Sequence, residues 1–153
     1  MLFLLFQLGD ERYVVDARQV VEVLPLLHIK RIPLAPPGVA GAFNYRGTPV
    51  PVVDLCQLAL QRPAEARLST RLIVVDYPDS RQVRRRLGLI AERVTGTLRR
   101  GQEDFVSPGI SNAEAPYLGP VTSDAQGMVQ WLDIGTLLPA AVRDVLYNPP
   151  VTA

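Results

Sequence analysis

Turn-forming residues interrupt this chain so often that no long helix has room to form. Fourteen prolines and eleven glycines are spread along 153 residues. Proline removes a backbone donor and fixes φ, and glycine loosens the chain. Short apolar runs lie between these breaks, spaced about ten residues apart, a pattern that predicts about eight to ten short strands closed into a sandwich or barrel. No fixed-period repeat is present.

The first run, Leu2–Phe6 extending across Gln7 to Leu8, is far too short to span a membrane. It also lacks the basic leader and small-residue cleavage site of a secretion signal, so it reads as a buried first strand. Gly9-Asp10-Glu11 then turns the chain into a second strand, Arg12–Val15. After it comes a helix signal. Asp16 stands at a capping position with Gln19 three residues on, and Ala17, Val20, Val21 and Leu24 fall on one helical face before Pro25 stops the run. On such a helix Glu22 lies about 150° from the apolar stripe and faces solvent, with Val23 partly exposed beside it.

Ile32–Gly38, rich in proline, predicts an extended connector. Val39–Tyr45 and Pro49–Leu55 form a strand pair around Arg46-Gly47-Thr48. Pro49 and Pro51 are two apart, so that edge of the strand is expected to be free or only partly paired. Leu55–Leu60 predicts one or two helical turns and Ala64–Thr70 a mobile loop. Arg71–Tyr77 and Leu87–Val94 are strands joined by the polar tip Pro78–Arg86, with a further strand expected over Thr97–Val106. Ser107–Pro116 is irregular. Tyr117–Thr122 and Met128–Ile134 flank a turn, and Pro139–Tyr147 is a closing helix with proline in its first turn.

The search for catalytic chemistry returns little. Cys56 is the only cysteine and His28 the only histidine, so no intrachain disulfide or usual zinc set can be assembled. His28 reads as structural and Cys56 as a buried thiol. No phosphate-binding or dinucleotide-binding glycine motif occurs, and no nucleophile elbow. Asp54 ends an apolar strand as a phospho-acceptor aspartate would, but the alternating α/β pattern around such a site is missing. No enzyme activity, cofactor or metal is expected. Net charge is +1, which gives no global pull toward nucleic acid or an anionic membrane. Arg81, Arg84, Arg85 and Arg86 on one tip, with Arg99 and Arg100 beyond, are the alternative: a small barrel gripping phosphates. The aromatic platforms that usually accompany such patches are absent there, Tyr77 being the nearest ring in sequence.

Five sequence elements carry a resemblance. They are Phe6-Gln7-Leu8-Gly9 with Tyr13, Val20-Val21-Glu22-Val23, Ile29-Lys30-Arg31-Ile32-Pro33, Gly41-Ala42-Phe43-Asn44-Tyr45-Arg46-Gly47, and Pro51-Val52-Val53-Asp54-Leu55. In this order and spacing they resemble the start of a CheW-like domain. Later segments agree more loosely. Arg71–Asp76 and Leu87–Val94 stand where that family has strands, with Ala91 and Glu92 in place of its usual Val and Asp. Tyr117-Leu118-Gly119 and Met128–Leu138 match approximately, although Trp131-Leu132-Asp133-Ile134 is unusual.

The resemblance implies a mainly β fold, two small five-stranded SH3-like barrels packed together with a few short helices. It implies one CheW-like domain over residues 1–147 and a tail over 148–153. The implied role is a cytoplasmic adaptor, recruited to membrane-associated arrays without inserting into the membrane. Its partners would be a chemoreceptor cytoplasmic tip and the regulatory domain of a CheA-type histidine kinase. Because no phosphotransfer, ATP-binding or receiver segment accompanies the domain, a stand-alone coupling protein is expected rather than part of a kinase. Carried over by position, the partner-facing residues are Val20, Glu22 and Val23, with Asn44, Arg46 and Gly47 on the hairpin. Glu22 and Arg46 are the sharpest pair, whereas Asn44 and Gly47 are expected mainly to shape the turn. A bland alternative is that Glu22 merely forms a surface ion pair.

Overall fold

The computed structural model describes residues 1–79 and 81–147. Its first strand, β1 (Leu2–Leu8), pairs antiparallel with β2 (Glu11–Asp16) through a two-residue turn. At the end of β2, Asp16 does cap a helical turn, accepting from the Arg18 N–H at 2.9 Å, but the turn is only Ala17–Gln19 in 3₁₀ form. The predicted helix is otherwise a strand, β3 (Val20–Pro25), antiparallel to β6 (Arg71–Pro78).

Three β-branched valines in four residues favour the pleat over the helix. The register explains why they imitated a helical stripe. Val20 faces Val75 and Glu22 faces Val74, so a bulge at Val21 inserts one extra residue. Val20 and Val23, three apart, therefore pack against one core, while Val21 and Leu24 pack against another. A bulged strand reproduces the three-residue spacing of a helix.

The connector after β3 is not extended. It folds into two tight turns, closed by Ala35 N–H to Ile32 O at 3.3 Å and Val39 N–H to Pro36 O at 3.0 Å. Lys30 bridges Ala42 on β4 (Val39–Tyr45) in both directions. The approach demands glycine next door: a Cβ on Gly41, at φ +149°, would lie 2.1 Å from the Lys30 carbonyl oxygen. Strand β4 runs into β5 (Thr48–Asp54). Beyond β4, β5 meets β7 (Arg84–Arg99) in parallel only over Val52–Asp54, past Pro49 and Pro51. The proline edge is thus partly paired, as expected.

Helix α1 (Leu55–Leu60) follows, capped by Asp54 accepting from Cys56 and Gln57 N–H groups. The segment after it is irregular but pinned rather than loose. Ala64 N–H donates to Asp54 Oδ2 at 2.9 Å, and Glu65 N–H to Glu92 Oε2 at 2.7 Å. The separate strand expected over Thr97–Val106 does not exist. Strand β7 runs unbroken for 16 residues, pairing with β6 along its first half and β1 along its second. It bends where Arg93 adopts φ 46° and the β1 register slips between Leu5 and Gln7, so the bend never ends the strand. Strands β8 (Leu118–Asp124) and β9 (Gly127–Leu132) complete the sheet, and α2 (Ala140–Tyr147) closes the described chain.

The path β7–β1–β2–β9–β8 forms one five-stranded half, and β3–β6–β7–β5–β4 the other, sharing β7. Each encloses a core. Phe3, Val14, Phe105 and Val129 fill the first, with Trp131 edge-on to Phe3 at 4.9 Å. Phe43, Val50, Val52, Leu72, Val74 and Ile90 fill the second. A third and larger cluster, including Phe6, Leu8, Leu55, Ile73, Val75 and Leu89, draws on strands of both halves. Strand β6 sends Leu72 and Val74 one way and Ile73, Val75 and Tyr77 the other, so both its faces are buried. Its unbroken apolar run follows from that.

Candidate partner-binding surface

Strands β3 and β4 are the two ends of the second half's strand path, and no ladder joins them. Side chains span the gap. Glu22 Oε1, on β3, accepts from Arg46 Nη2 at 2.8 Å and from the Tyr45 hydroxyl at 2.7 Å, both on the β4–β5 hairpin. The Glu22 carboxylate accepting its proton holds the Tyr45 phenol above the ordinary range.

The hairpin turn is set by its own residues. Arg46 has φ 52° and Gly47 φ 88°, the two left-handed positions of a type I′ turn, whose twist matches the strands it joins. Arginine is an uncommon choice there and carries a cost of about 1–2 kcal/mol. The Asn44 side chain accepts from the Gly47 N–H at 2.7 Å and locks the turn. This conformation stands Arg46 out from the surface, its side chain 75% exposed, with Glu22 at 34%.

Sequence reasoning brought Glu22 and Arg46 forward as a pair, and they touch. It placed Glu22 on a helix opposite the apolar stripe; the bulge instead puts it beside Val21, opposite Val74, at a strand edge. Val23 was expected to be a partly exposed apolar neighbour, and it is. Like Val20, it is half-buried and packs against the large central cluster. Tyr45 entered the sequence reading only as part of the Gly41–Gly47 element, with no role of its own, yet it is the third member of the cluster. The sequence signal was limited to a phenol beside a turn arginine; its nearness to Glu22 comes from the fold.

The competing sites look different at atomic detail. On the arginine tip, Arg85 pairs with the buried Asp79 at 3.0 Å and Arg86 with Asp76, so carboxylates of the same hairpin offset two of its cations. Arg84, Arg85 and Arg86 lie within β7 rather than in the turn. The phosphate-gripping alternative gains no support. Asp54 is buried and occupied as a helix cap. Cys56 is fully buried, and desolvation beside the Glu92 and Asp54 carboxylates pushes its thiol up to about 12, far from a nucleophile's range. His28 is exposed on the connector. Among the described residues no three His, Cys, Asp or Glu side chains cluster closely enough to hold a metal ion.

A second arginine–carboxylate cluster lies where β1, β7 and the segment after α1 meet. Glu92 accepts from Arg62 at 3.2 Å through each of its two oxygens, and from the Gly9 and Glu65 N–H groups at 3.0 and 2.7 Å. Burial alone would raise its pKa; the Arg62 guanidinium and the two backbone donors outweigh that and hold it at about 2. Sequence reasoning noted Glu92 only as an oddity.

Comparisons with known proteins agree with this architecture. The family model described as a CheW-like domain matches residues 2–142. Chemotaxis protein CheW of Treponema pallidum is 29% identical over 94% of this chain and 85% of its own length. Protein FrzA of Myxococcus xanthus is 30% identical over 91% of this chain and 86% of its own. The crystal structure of the scaffolding protein TtCheW from Thermoanaerobacter tengcongensis superposes with a TM-score of 0.79. At 22% identity it covers 90% of this chain and 87% of that one, and so shows the shared fold. With two five-stranded halves sharing one long strand, and a family match across nearly its whole length, the chain belongs to the CheW-like family of chemotaxis adaptor proteins.

Proposed function

We propose that this chain is a non-enzymatic coupling protein that links chemoreceptor cytoplasmic tips to the regulatory domain of a CheA-type histidine kinase. The observation that carries this reading is the Glu22–Arg46 pair, which spans two end strands that no ladder joins while remaining open to solvent. An ion pair this exposed contributes about 0–1 kcal/mol to stability. Its arginine is held in a costly backbone conformation that points it outward. Recognition accounts for that arrangement better than stability does. Charges displayed in this way steer partner choice and orientation, with apolar contacts supplying affinity.

Val20 and Val23 would then line the inner side of the contact, and Asn44 and Gly47 would hold the arginine in place. No helix among the described residues is long and apolar enough to cross a membrane. A cytoplasmic protein, brought to the membrane by its receptor, fits that. The domain is proposed to be a single unit over residues 1–147, built of the two barrel halves; the proposed tail, 148–153, lies outside the described residues.

The test is titration of the protein with a chemoreceptor cytoplasmic fragment and with a kinase regulatory domain from the same genome. Binding to both is expected, with Glu22→Lys or Arg46→Glu weakening at least one of them while unfolding at the wild-type denaturant concentration. Failure of the wild-type protein to bind either would overturn the proposal. An electrophoretic shift of DNA or RNA at physiological salt, lost when Arg84, Arg85 and Arg86 become alanine, would restore the phosphate-gripping alternative.

A further inference from the structure

Glu22 and Arg46 are not a simple pair. Among the described residues both donors to the carboxylate converge on one oxygen, Oε1, with Arg46 Nη2 at 2.8 Å and the Tyr45 hydroxyl at 2.7 Å. The Tyr45 ring also lies under the arginine, the guanidinium carbon being 5.1 Å from the ring centroid. Phe43, in the barrel core, braces that ring at 5.9 Å. One tyrosine therefore fixes both charges, its hydroxyl holding the carboxylate and its face supporting the guanidinium.

The chemistry that remains outward follows from this. A guanidinium has five N–H donors in a rigid fork. Among the described residues one of Arg46's five is engaged in a hydrogen bond, and three-quarters of the side chain faces solvent. Without Tyr45, Glu22 would be free to close on Arg46 with both oxygens, the bidentate geometry these two groups prefer. The phenol, by bonding Oε1, orients the carboxylate so that only that oxygen meets Arg46. It leaves the fork open.

We infer that Tyr45 is a positioning residue that keeps the Arg46 fork available, so that this surface takes a carboxylate side chain from the partner. The inference rests on the partner-binding reading above and names the partner chemistry at that site. A basic partner group is disfavoured because the more exposed member of the pair is a cation.

The experiment is a double-mutant cycle, read as affinity for the chemoreceptor cytoplasmic fragment. Tyr45→Phe keeps the ring under Arg46 and removes only the hydroxyl. It is expected to weaken binding about tenfold, the size of one hydrogen bond to a charged group. In a Glu22→Gln background the same change should alter affinity by less than about twofold, because the ionised carboxylate it positions is gone. A Tyr45→Phe protein that binds as wild type overturns the inference. So does an equal loss in both backgrounds, which would mean that the hydroxyl acts through the fold. If Glu22→Lys and Arg46→Glu also bind as wild type, the partner-binding reading itself fails, an outcome distinct from the failure of Tyr45 alone.

Discussion

Two arginine–carboxylate clusters in this molecule use the same groups in opposite surroundings. At Glu92 the carboxylate is buried and meets Arg62 and two backbone N–H groups drawn from separate segments. At Glu22 the carboxylate lies at a strand edge and meets one exposed arginine and one phenol of a single hairpin. The first joins parts of the chain about 30 and 80 residues apart in sequence, the second closes a gap between edge strands. The contrast teaches which ion pair holds the fold and which is available to another protein. Burial decides, because a buried unpaired charge is severely penalised and an exposed one is hydrated.

The largest effect separating the two regions is expected at Glu92. Glu92→Ala takes the acceptor from the Gly9 and Glu65 N–H groups and one partner from Arg62, which is part-exposed and also bonds the Pro63 carbonyl. It should lower unfolding stability by about 2–4 kcal/mol in a urea titration. A loss under about 1 kcal/mol would erase the distinction between the clusters.

Acid should act at the same place. The folded Glu92 pKa of about 2 lies below the ordinary 4.5, so the folded state favours the ionised form. Its contribution is full above the ordinary value and disappears as pH falls from about 4.5 to 2, amounting to roughly 3 kcal/mol. Asp124, held at about 2 first by hydrogen bonds from Arg12, loses its contribution in the same direction and window. Stability measured against pH should therefore fall on acidification and flatten in Glu92→Gln. A slope that survives in that variant unchanged would assign the acid sensitivity elsewhere.

At the exposed cluster the expected change in stability is smallest. Arg46→Ala should shift unfolding by no more than about 1 kcal/mol in either direction. Relief of the left-handed backbone at residue 46 is not gained by alanine, whereas Arg46→Gly should be neutral or slightly stabilising, which a thermal melt can read. A large loss in Arg46→Ala would make that pair structural too.

Much of the fold was legible in the sequence because turns and strand pairing are local. The hairpins at Gly9, at Arg46-Gly47 and before Gly127, the capped helix after Asp54 and the partly unpaired proline edge all follow from residues a few positions apart. Two of the errors share one cause. At Val21 an inserted residue shifted the side-chain alternation from two to three, so a strand read as a helix. At Arg93 a bend without a break made one strand read as two. Bulges and bends are set by the partner strand, which local patterning does not contain. The loop at Ala64–Thr70 misled for a similar reason, since its anchors, Asp54 and Glu92, lie elsewhere in the chain. At the candidate surface, the resemblance supplied Glu22 and Arg46. Tyr45 required coordinates, because only the folded gap between β3 and β4 brings its hydroxyl to the carboxylate.

Exchanging the two charges tests the displayed pair most directly. The double variant Glu22→Arg with Arg46→Glu re-forms an ion pair of the same kind across the same gap, with each group facing outward in the other's place. If the pair serves recognition, this protein folds with wild-type stability and still fails to bind the chemoreceptor fragment or the kinase regulatory domain. Full recovery of binding in the exchanged protein, after loss in each single variant, would show that only the bridge between the strands matters.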